Sequence, residues 1–268
     1  MVLRRGLRWI YNKIVTNTQR CIISILTAGP VPRHVAFVMD GNRRYARIHG
    51  KEVQQGHMEG FVALRRVLDI CLRMNVHCVS AYAFAIDNFN RPKEEVDALM
   101  NLAQSKLLEL CNEGDLLDEY GVRLNIVGRI ELFPKALQEA IRKAENMTRQ
   151  NNKAILNLHM AYASTDEMTT AIEDCVKFGL THNIDPDTYF TQEEIDKHLM
   201  TTAKGSPPLD VLIRTSGVKR LSNYLVWQCC QNTQIQFSSI YWPDFGFWDF
   251  IPIILDYQRK IWSRRISA

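Results

Sequence analysis

Short continuous runs of apolar residues alternate along this chain with longer stretches in which apolar positions recur at helical spacing. The runs are HVAFVMD (34–40), HCVSAYAFA (77–85), VRLNIVG (122–128), AILNLHMAYA (154–163), DVLIRT (210–215) and IQFSSI (235–240). Their lengths and apolar content predict six β-strands. Between them the spacing predicts a helix over 60–74, a long one from Pro92 to Glu119, and one opened by Pro134. Another follows the fourth strand, capped by Ser164 or Thr165 with Glu167 near by, and a last one covers 248–262. Strands that are apolar at every position are buried on both faces. The expected fold class is therefore α/β: a single domain with a mostly parallel six-stranded sheet and helices on both faces. No repeat, low-complexity tract or linker interrupts the pattern.

Residues 1–28 stand apart as an amphipathic helical segment in front of a domain spanning 29–268. Leu3, Leu7, Ile10, Tyr11, Ile14 and Val15 follow helical spacing, Arg4, Arg5, Arg8 and Arg20 crowd the segment, and Ile22, Ile23, Ile25 and Leu26 add an apolar patch. Polar residues such as Asn12, Lys13 and Asn17 interrupt it too often for a secretory signal. Such a helix packs on its own domain, lies on a membrane surface, or covers an apolar ligand. No run approaches the roughly 20 apolar residues of a membrane span.

Composition adds little to this. Of 268 residues, 46% are hydrophobic and 23% charged, enough apolar material for a sizeable core. A net charge of +4 is too mild to point to nucleic acid. The seven cysteines form no C-x-x-C pair and mostly fall in apolar runs, which reads as buried reduced thiols in a cytosolic redox environment. The sequon at Asn146 falls within a helical pattern and is read as chance.

Candidate chemistry sits just after the strands, where parallel sheets bind ligands. The first strand is followed by Asp40, Gly41, Asn42, Arg43 and Arg44; the second by Asp87, Asn88, Phe89, Asn90 and Arg91; the fifth ends in Arg214, with Lys219, Arg220 and Ser222 soon after. Five arginines and a lysine thus converge on one edge. Guanidinium forks match phosphate oxygens, and a glycine lets backbone approach a ligand closely. Asp40 is then either a salt-bridge partner or an anchor for Mg²⁺, which typically takes one or two carboxylates plus phosphates and water. No G-x-G-x-x-G, P-loop, G-x-S-x-G elbow or zinc spacing is present. His57, in QQGHMEG, taken alone reads as a plain loop histidine.

MDGNRRYA, the GH at 56–57, FAIDNFNRP (84–92), RTSGVKRLSNYLVWQ (214–228) and YWPDF (241–245) resemble, in order, the motifs of the cis-prenyltransferases, from about Pro32 to Trp262. The forms NRRYA and RTSG look more like the eukaryotic catalytic subunits than the bacterial enzymes. The resemblance implies that isopentenyl diphosphate units are added in cis geometry to an allylic starter such as farnesyl diphosphate, making long-chain polyprenyl diphosphate for dolichol at the cytosolic face of the endoplasmic reticulum. It implies that Asp40 holds Mg²⁺ on the allylic diphosphate, which Gly41, Asn42, Arg43, Arg44 and Arg91 cradle. Arg214, Arg220 and Ser222 would bind isopentenyl diphosphate. Asn88 and His57 would orient groups or relay a proton near the reacting centre, and Phe89 would pack against the prenyl chain. A dry tunnel would hold the growing chain, with Val96, Leu99, Met100, Ala103, Leu107 and Leu110 as wall candidates.

The pattern also departs from the family. Phe84-Ala85-Ile86-Asp87-Asn88 stands where members usually show Phe-Ser-x-Glu-Asn, Val218 where Glu is common, and Val53 where bacterial members have Arg. CCQNTQIQF (229–237) lacks the Glu that gives bacterial members a second metal contact. Members that work alone carry Arg-x-Gly near the C-terminus; YQRKIWSRRISA has Arg259, Arg264 and Arg265, none followed two places on by glycine. The resemblance therefore implies a homologous accessory subunit that supplies this tail. The rival expectation is a non-catalytic member that only stabilises a partner.

Overall fold

A computed structural model describes residues 2–112, 114–185, 189–230 and 232–267, with the side chains of 2–12 and 265–267 outside the description. The expected arginine cluster at Arg4, Arg5 and Arg8, the apolar side chains of Leu3, Leu7, Ile10 and Tyr11, and the side chain of Arg265 fall outside those limits.

In chain order the elements are α1 (Val2–Thr27), β1 (His34–Val38), α2 (Asn42–Ile48), α3 (Val53–Arg73), β2 (Cys78–Ala85), α4 (Lys93–Leu110), α5 (Leu116–Glu119), β3 (Val122–Val127), α6 (Lys135–Thr148), β4 (Ala154–Tyr162), α7 (Ser164–Thr181), α8 (Gln192–His198), α9 (Met200–Ala203), β5 (Val211–Arg214), β6 (Gln234–Phe237) and α10 (Phe247–Ser267). The six strands form one sheet in the order β3-β4-β2-β1-β5-β6, and every pair is parallel. β1 and β4 are buried at every position, as strands covered on both faces must be. Phe37 of β1 is fully buried, its ring centroid 5.7 Å from Trp242, 6.2 Å from Phe245 and 6.0 Å from Phe250. The YWPDF segment and α10 thereby close one face of the sheet.

Three local expectations are corrected. The long helix ends at Leu110, well short of Glu119. Gly114 then takes φ 74°, and the Asp115 carboxylate accepts from Leu116 N at 2.7 Å to start α5 afresh. Neither Ser164 nor Thr165 caps α7; the cap position is Ala163, and Ser164 Oγ accepts from Val226 N at 2.9 Å instead. Glu167 is buried, accepting from Tyr162 Oη at 2.5 Å, Gln228 Nε2 at 2.9 Å and Thr201 N at 3.1 Å, so it ties α7 to β4 and α9 rather than to its own N-terminus. His57, expected in a loop, lies in α3, which begins at Val53. Gly56 and Gly60 on that helix let α2 come close: a Cβ at Gly56 would sit 2.4 Å from the Asn42 carbonyl oxygen.

The cysteines are free thiols: Cys71, Cys78, Cys111 and Cys175 are buried, Cys229 is half-buried, and Cys21 and Cys230 are exposed.

Candidate active site

β1 and β5 are neighbours with Val38 opposite Arg214, and the chain leaves β1 toward β2 on the other side. The crevice at their carboxyl ends is the switch point of the sheet, where open α/β folds bind ligands. Asp40 enters it from β1. Thr215 fixes it there, accepting from Asp40 N at 3.0 Å while its hydroxyl donates to Asp40 O at 2.7 Å. Next to it Gly41 has φ 112°, and a Cβ at that position would meet the Tyr241 ring at 2.7 Å, so only glycine fits.

Around the Asp40 carboxylate lies the first charge cluster. Arg214, only 4% exposed, donates from Nη2 to Asp40 Oδ2 at 2.9 Å; Arg44 Nη2 is 3.3 Å from Oδ1. Arg214 also donates from Nη1 to Ser222 Oγ at 2.7 Å and to the Arg220 carbonyl at 2.6 Å, while Arg220 Nε reaches Ser222 Oγ at 3.1 Å. Arg44 donates to Ser216 Oγ at 2.5 Å and lies over the Tyr241 ring at 5.5 Å. Burial works to raise the Asp40 carboxyl, but the hydrogen bond and charge of Arg214, with Ser216 and Arg44 behind them, hold it below the usual carboxylate range. Asp40 is therefore ionised at neutral pH.

A second cluster forms around Glu95 of α4. Its Oε1 accepts from Arg91 Nη1 at 2.9 Å and lies 3.7 Å from His57 Nε2, too long for a hydrogen bond; its Oε2 is 3.8 Å from Arg43 Nη1. Burial, then the charge of Arg91, lowers the His57 pKa from its ordinary value against the pull of Glu95. His57 Nε2 and Asn42 Oδ1 are buried without a hydrogen-bond partner. Asn88 uses its carbonyl oxygen to accept from Ala85 N at 3.1 Å, bracing the turn after β2. Phe89 packs on Phe84 at 4.9 Å and on Phe133 at 5.9 Å.

Asn42 and His57 also line an apolar cavity of about 120 Å³ between α3, α4 and the sheet. Leu99, Met100, Ala103, Leu107 and Leu110 line it, whereas Val96 packs against the core beside it. Lys106 lines it too, its ammonium turned onto the Phe61 ring at 5.5 Å and paired with Glu109.

The structure thus gathers Asp40, Gly41, Arg44, Arg214, Arg220 and Ser222 into one network and Arg43, Arg91 and His57 into the one beside it. Sequence reasoning gave no role to Glu95, or to Thr215, Ser216 and Tyr241, although the last three stand after the fifth strand and in the YWPDF motif. Glu95 had a readable signal, standing four residues after Arg91 at the start of a helical pattern. Thr215 and Ser216 carried none beyond their place beside Arg214.

A cluster of arginines next to a hydrocarbon cavity suits an amphiphile with a phosphate head. The chain belongs to the undecaprenyl diphosphate synthase family, the cis-prenyltransferases, whose Prenyltransf model matches residues 38–266. It is 44% identical to a dehydrodolichyl diphosphate synthase complex subunit of Schizosaccharomyces pombe, over 94% of this chain and 93% of that one. It is 39% identical to the human subunit of the same name, over 93% of this chain and 74% of the relative. Among solved structures, lavandulyl diphosphate synthase of Lavandula x intermedia, in complex with dimethylallyl diphosphate, superposes with a TM-score of 0.77 at 29% identity, covering 85% of this chain and 95% of that one.

Proposed function

We propose that the chain is the catalytic subunit of a cis-prenyltransferase, condensing isopentenyl diphosphate onto farnesyl diphosphate or a similar allylic starter to make long-chain dehydrodolichyl diphosphate for dolichol synthesis and protein glycosylation. One observation carries the reading: a cluster of arginines around an ionised Asp40 at the switch point of the sheet, next to an apolar cavity lined by Met39 and Asn42, the residues that flank Asp40 and Gly41 in the chain.

In this reading Gly41, Asn42, Arg43, Arg44 and Arg91 hold the allylic diphosphate, and Arg214, Arg220 and Ser222 hold that of isopentenyl diphosphate. The allylic C–O bond breaks and pyrophosphate leaves with its electron pair. The isopentenyl double bond attacks the allylic carbon, and a proton is lost from the adjacent carbon of the isopentenyl unit. Charge neutralisation and alignment of the two diphosphates supply most of the rate. Asn88 and His57 orient groups at the reacting end, and Phe89 flanks the chain. His57, held neutral by burial, can accept a hydrogen bond or a proton through its buried Nε2.

Asp40 fits a Mg²⁺ ion that arrives with the substrate. Its carboxylate is 30% exposed, and among the described residues no group of three or more metal-ligating side chains stands together. Asp40 would hold such an ion together with substrate phosphates and water, and the ion would supply further neutralisation of the departing charge.

The relatives named as complex subunits support a heteromer; in this reading the other member is a homologous accessory subunit that contributes an Arg-x-Gly tail. In this reading the chain sits peripherally on the cytosolic face of the endoplasmic reticulum; α1, which exposes Ile14 and Ile25 while burying Ile23 and Leu26, offers an apolar surface for such a contact. Among the described residues no helix is long and apolar enough to cross a membrane. The rival, a non-catalytic stabilising subunit, has no need of a buried Arg214 held on a partly exposed Asp40.

The test is to incubate the chain, alone and with such a partner, with farnesyl and labelled isopentenyl diphosphates, with and without Mg²⁺, and to size the products. Long polyprenyl products that vanish with Asp40→Ala in this chain support the catalytic role. Products that survive that change would assign catalysis to the partner.

A further inference from the structure

Glu95 belongs to none of the roles above, yet among the described residues it is the one carboxylate within ion-pair distance of three of their residues. It gathers Arg43 from α2, His57 from α3 and Arg91 from the turn before α4, at 3.8, 3.7 and 2.9 Å. Its side chain is 16% exposed, His57 13% and Arg91 24%, so these three are largely shielded, while Arg43, 55% exposed, reaches them from the solvent side. Glu94 and Glu95 share the first turn of α4, where a carboxylate also favours the helix dipole. That plain role explains an acid at either position. It does not explain why one of them turns inward onto two cations and a histidine.

We infer that Glu95 is a resident anion of the diphosphate site: in the free chain its carboxylate holds the place among Arg43, Arg91 and His57 that a phosphate group takes when the allylic diphosphate binds. This rests on the assignment of Arg43 and Arg91 to that diphosphate.

Without an anion, two guanidiniums beside a buried imidazole would repel one another and spread apart. Glu95 keeps them assembled at the cost of competing with the ligand. A diphosphate carries more charge than one carboxylate and displaces it from Arg43 and Arg91. The displaced side chain has somewhere to go, because Glu95 also borders an open groove of about 570 Å³ between α3 and α4, lined by His57, Met58, Ala98 and Leu102 among others. Binding thereby exchanges one anion for another with little rearrangement of the cations, and when pyrophosphate leaves, Glu95 returns to the arginines. The device favours turnover over tight holding of the product.

The test is calorimetric titration of the full chain with inorganic pyrophosphate and Mg²⁺, which needs no prenyl transfer. Glu95→Gln keeps the shape and removes the charge, and pyrophosphate affinity is expected to rise roughly three- to fivefold, the scale of one partly exposed ion pair. Glu95→Asp, which keeps the charge but draws it back from Arg91, is expected to give a smaller gain. In an Arg91→Ala background the gain from Glu95→Gln should disappear, since the competition runs through Arg91. Thermal melts of each variant establish that it is folded. Weaker or unchanged affinity in both Glu95 variants overturns the inference and leaves Glu95 a fastener of the cations. A wild-type chain that binds no pyrophosphate at all overturns the diphosphate site itself, and the inference with it.

Discussion

Arg214 and Arg220 lie six residues apart and share Ser222 as a partner, but they stand in different surroundings. Arg214 is buried and fastened to Asp40, Ser222 and the Arg220 carbonyl, whereas Arg220 is exposed. Arg214→Ala should therefore lose both activity and stability, the latter by about 1–3 kcal/mol, since Asp40 forfeits a charge-assisted bond. Arg220→Ala should raise the KM for isopentenyl diphosphate and leave the melting temperature within a degree or so, as substitutions of exposed side chains usually do. Steady-state kinetics beside thermal melts separate the two; a melting loss for Arg220→Ala equal to that of Arg214→Ala would contradict the geometry. For Asp40→Asn we expect kcat to fall on the order of 10²-fold or more with a lesser change in starter affinity, because the contact strengthens as the diphosphate leaves. Single-turnover rates decide that case, and near-normal turnover would remove Asp40 from the chemistry.

Elements position these residues through close approaches that leave no room for change. At Gly56 the backbone of α3 touches that of α2, whose residues include Arg43 and Arg44. Gly56→Ala must push the two helices apart, costing about 1–3 kcal/mol as an overpacked contact and raising the KM for the allylic diphosphate. A variant as stable and active as the parent would show that α2 is free to shift. Ala103 faces the cavity from α4, and Ala103→Phe should fill it and shorten the products, read by chromatographic sizing. Unchanged product length would place the growing chain elsewhere. The sheet and the gathering of arginines at its strand ends were legible in the sequence because each rests on a local signal: an unbroken apolar run such as HVAFV, or a cation directly after one. The end of α4 was misjudged because apolar spacing continues through Leu116 and Leu117, and only Gly114 and Asp115 mark the break. Glu167 looked like a capping residue because its partners Thr201 and Gln228 are remote in sequence. Tyr241 closes over Gly41 only once the sheet has formed.

At the scale of the whole molecule, acid should unfold the protein through two buried histidines. Burial lowers His34 to about 4 against the pull of the Pro207 carbonyl, and burial with the nearby His34 lowers His159 to about 3. Unfolded, both titrate near their ordinary value of about 6.5, so in the interval the unfolded chain binds more protons. Their contribution is complete above that value and is lost as pH falls toward 4 and 3, by up to about 1.4 kcal/mol per pH unit for each histidine. Urea midpoints should drop steadily between about pH 6.5 and pH 4.5, and His159→Phe should flatten the slope. Constant midpoints over that range would show that neither histidine is kept neutral by the fold.

Asp40 and Arg214 meet across 174 residues of chain. No local fragment contains the anion site, so it exists only when the chain has closed on itself from β1 to β5. By mass action, an anion that recognises only the closed chain must pull the folding equilibrium toward it, by about 2.7 kcal/mol at a concentration one hundred times its dissociation constant. Pyrophosphate should then raise the melting temperature in a concentration-dependent way, and the share of the transition that shifts measures how much of any preparation is correctly assembled, before a single carbon–carbon bond has been made.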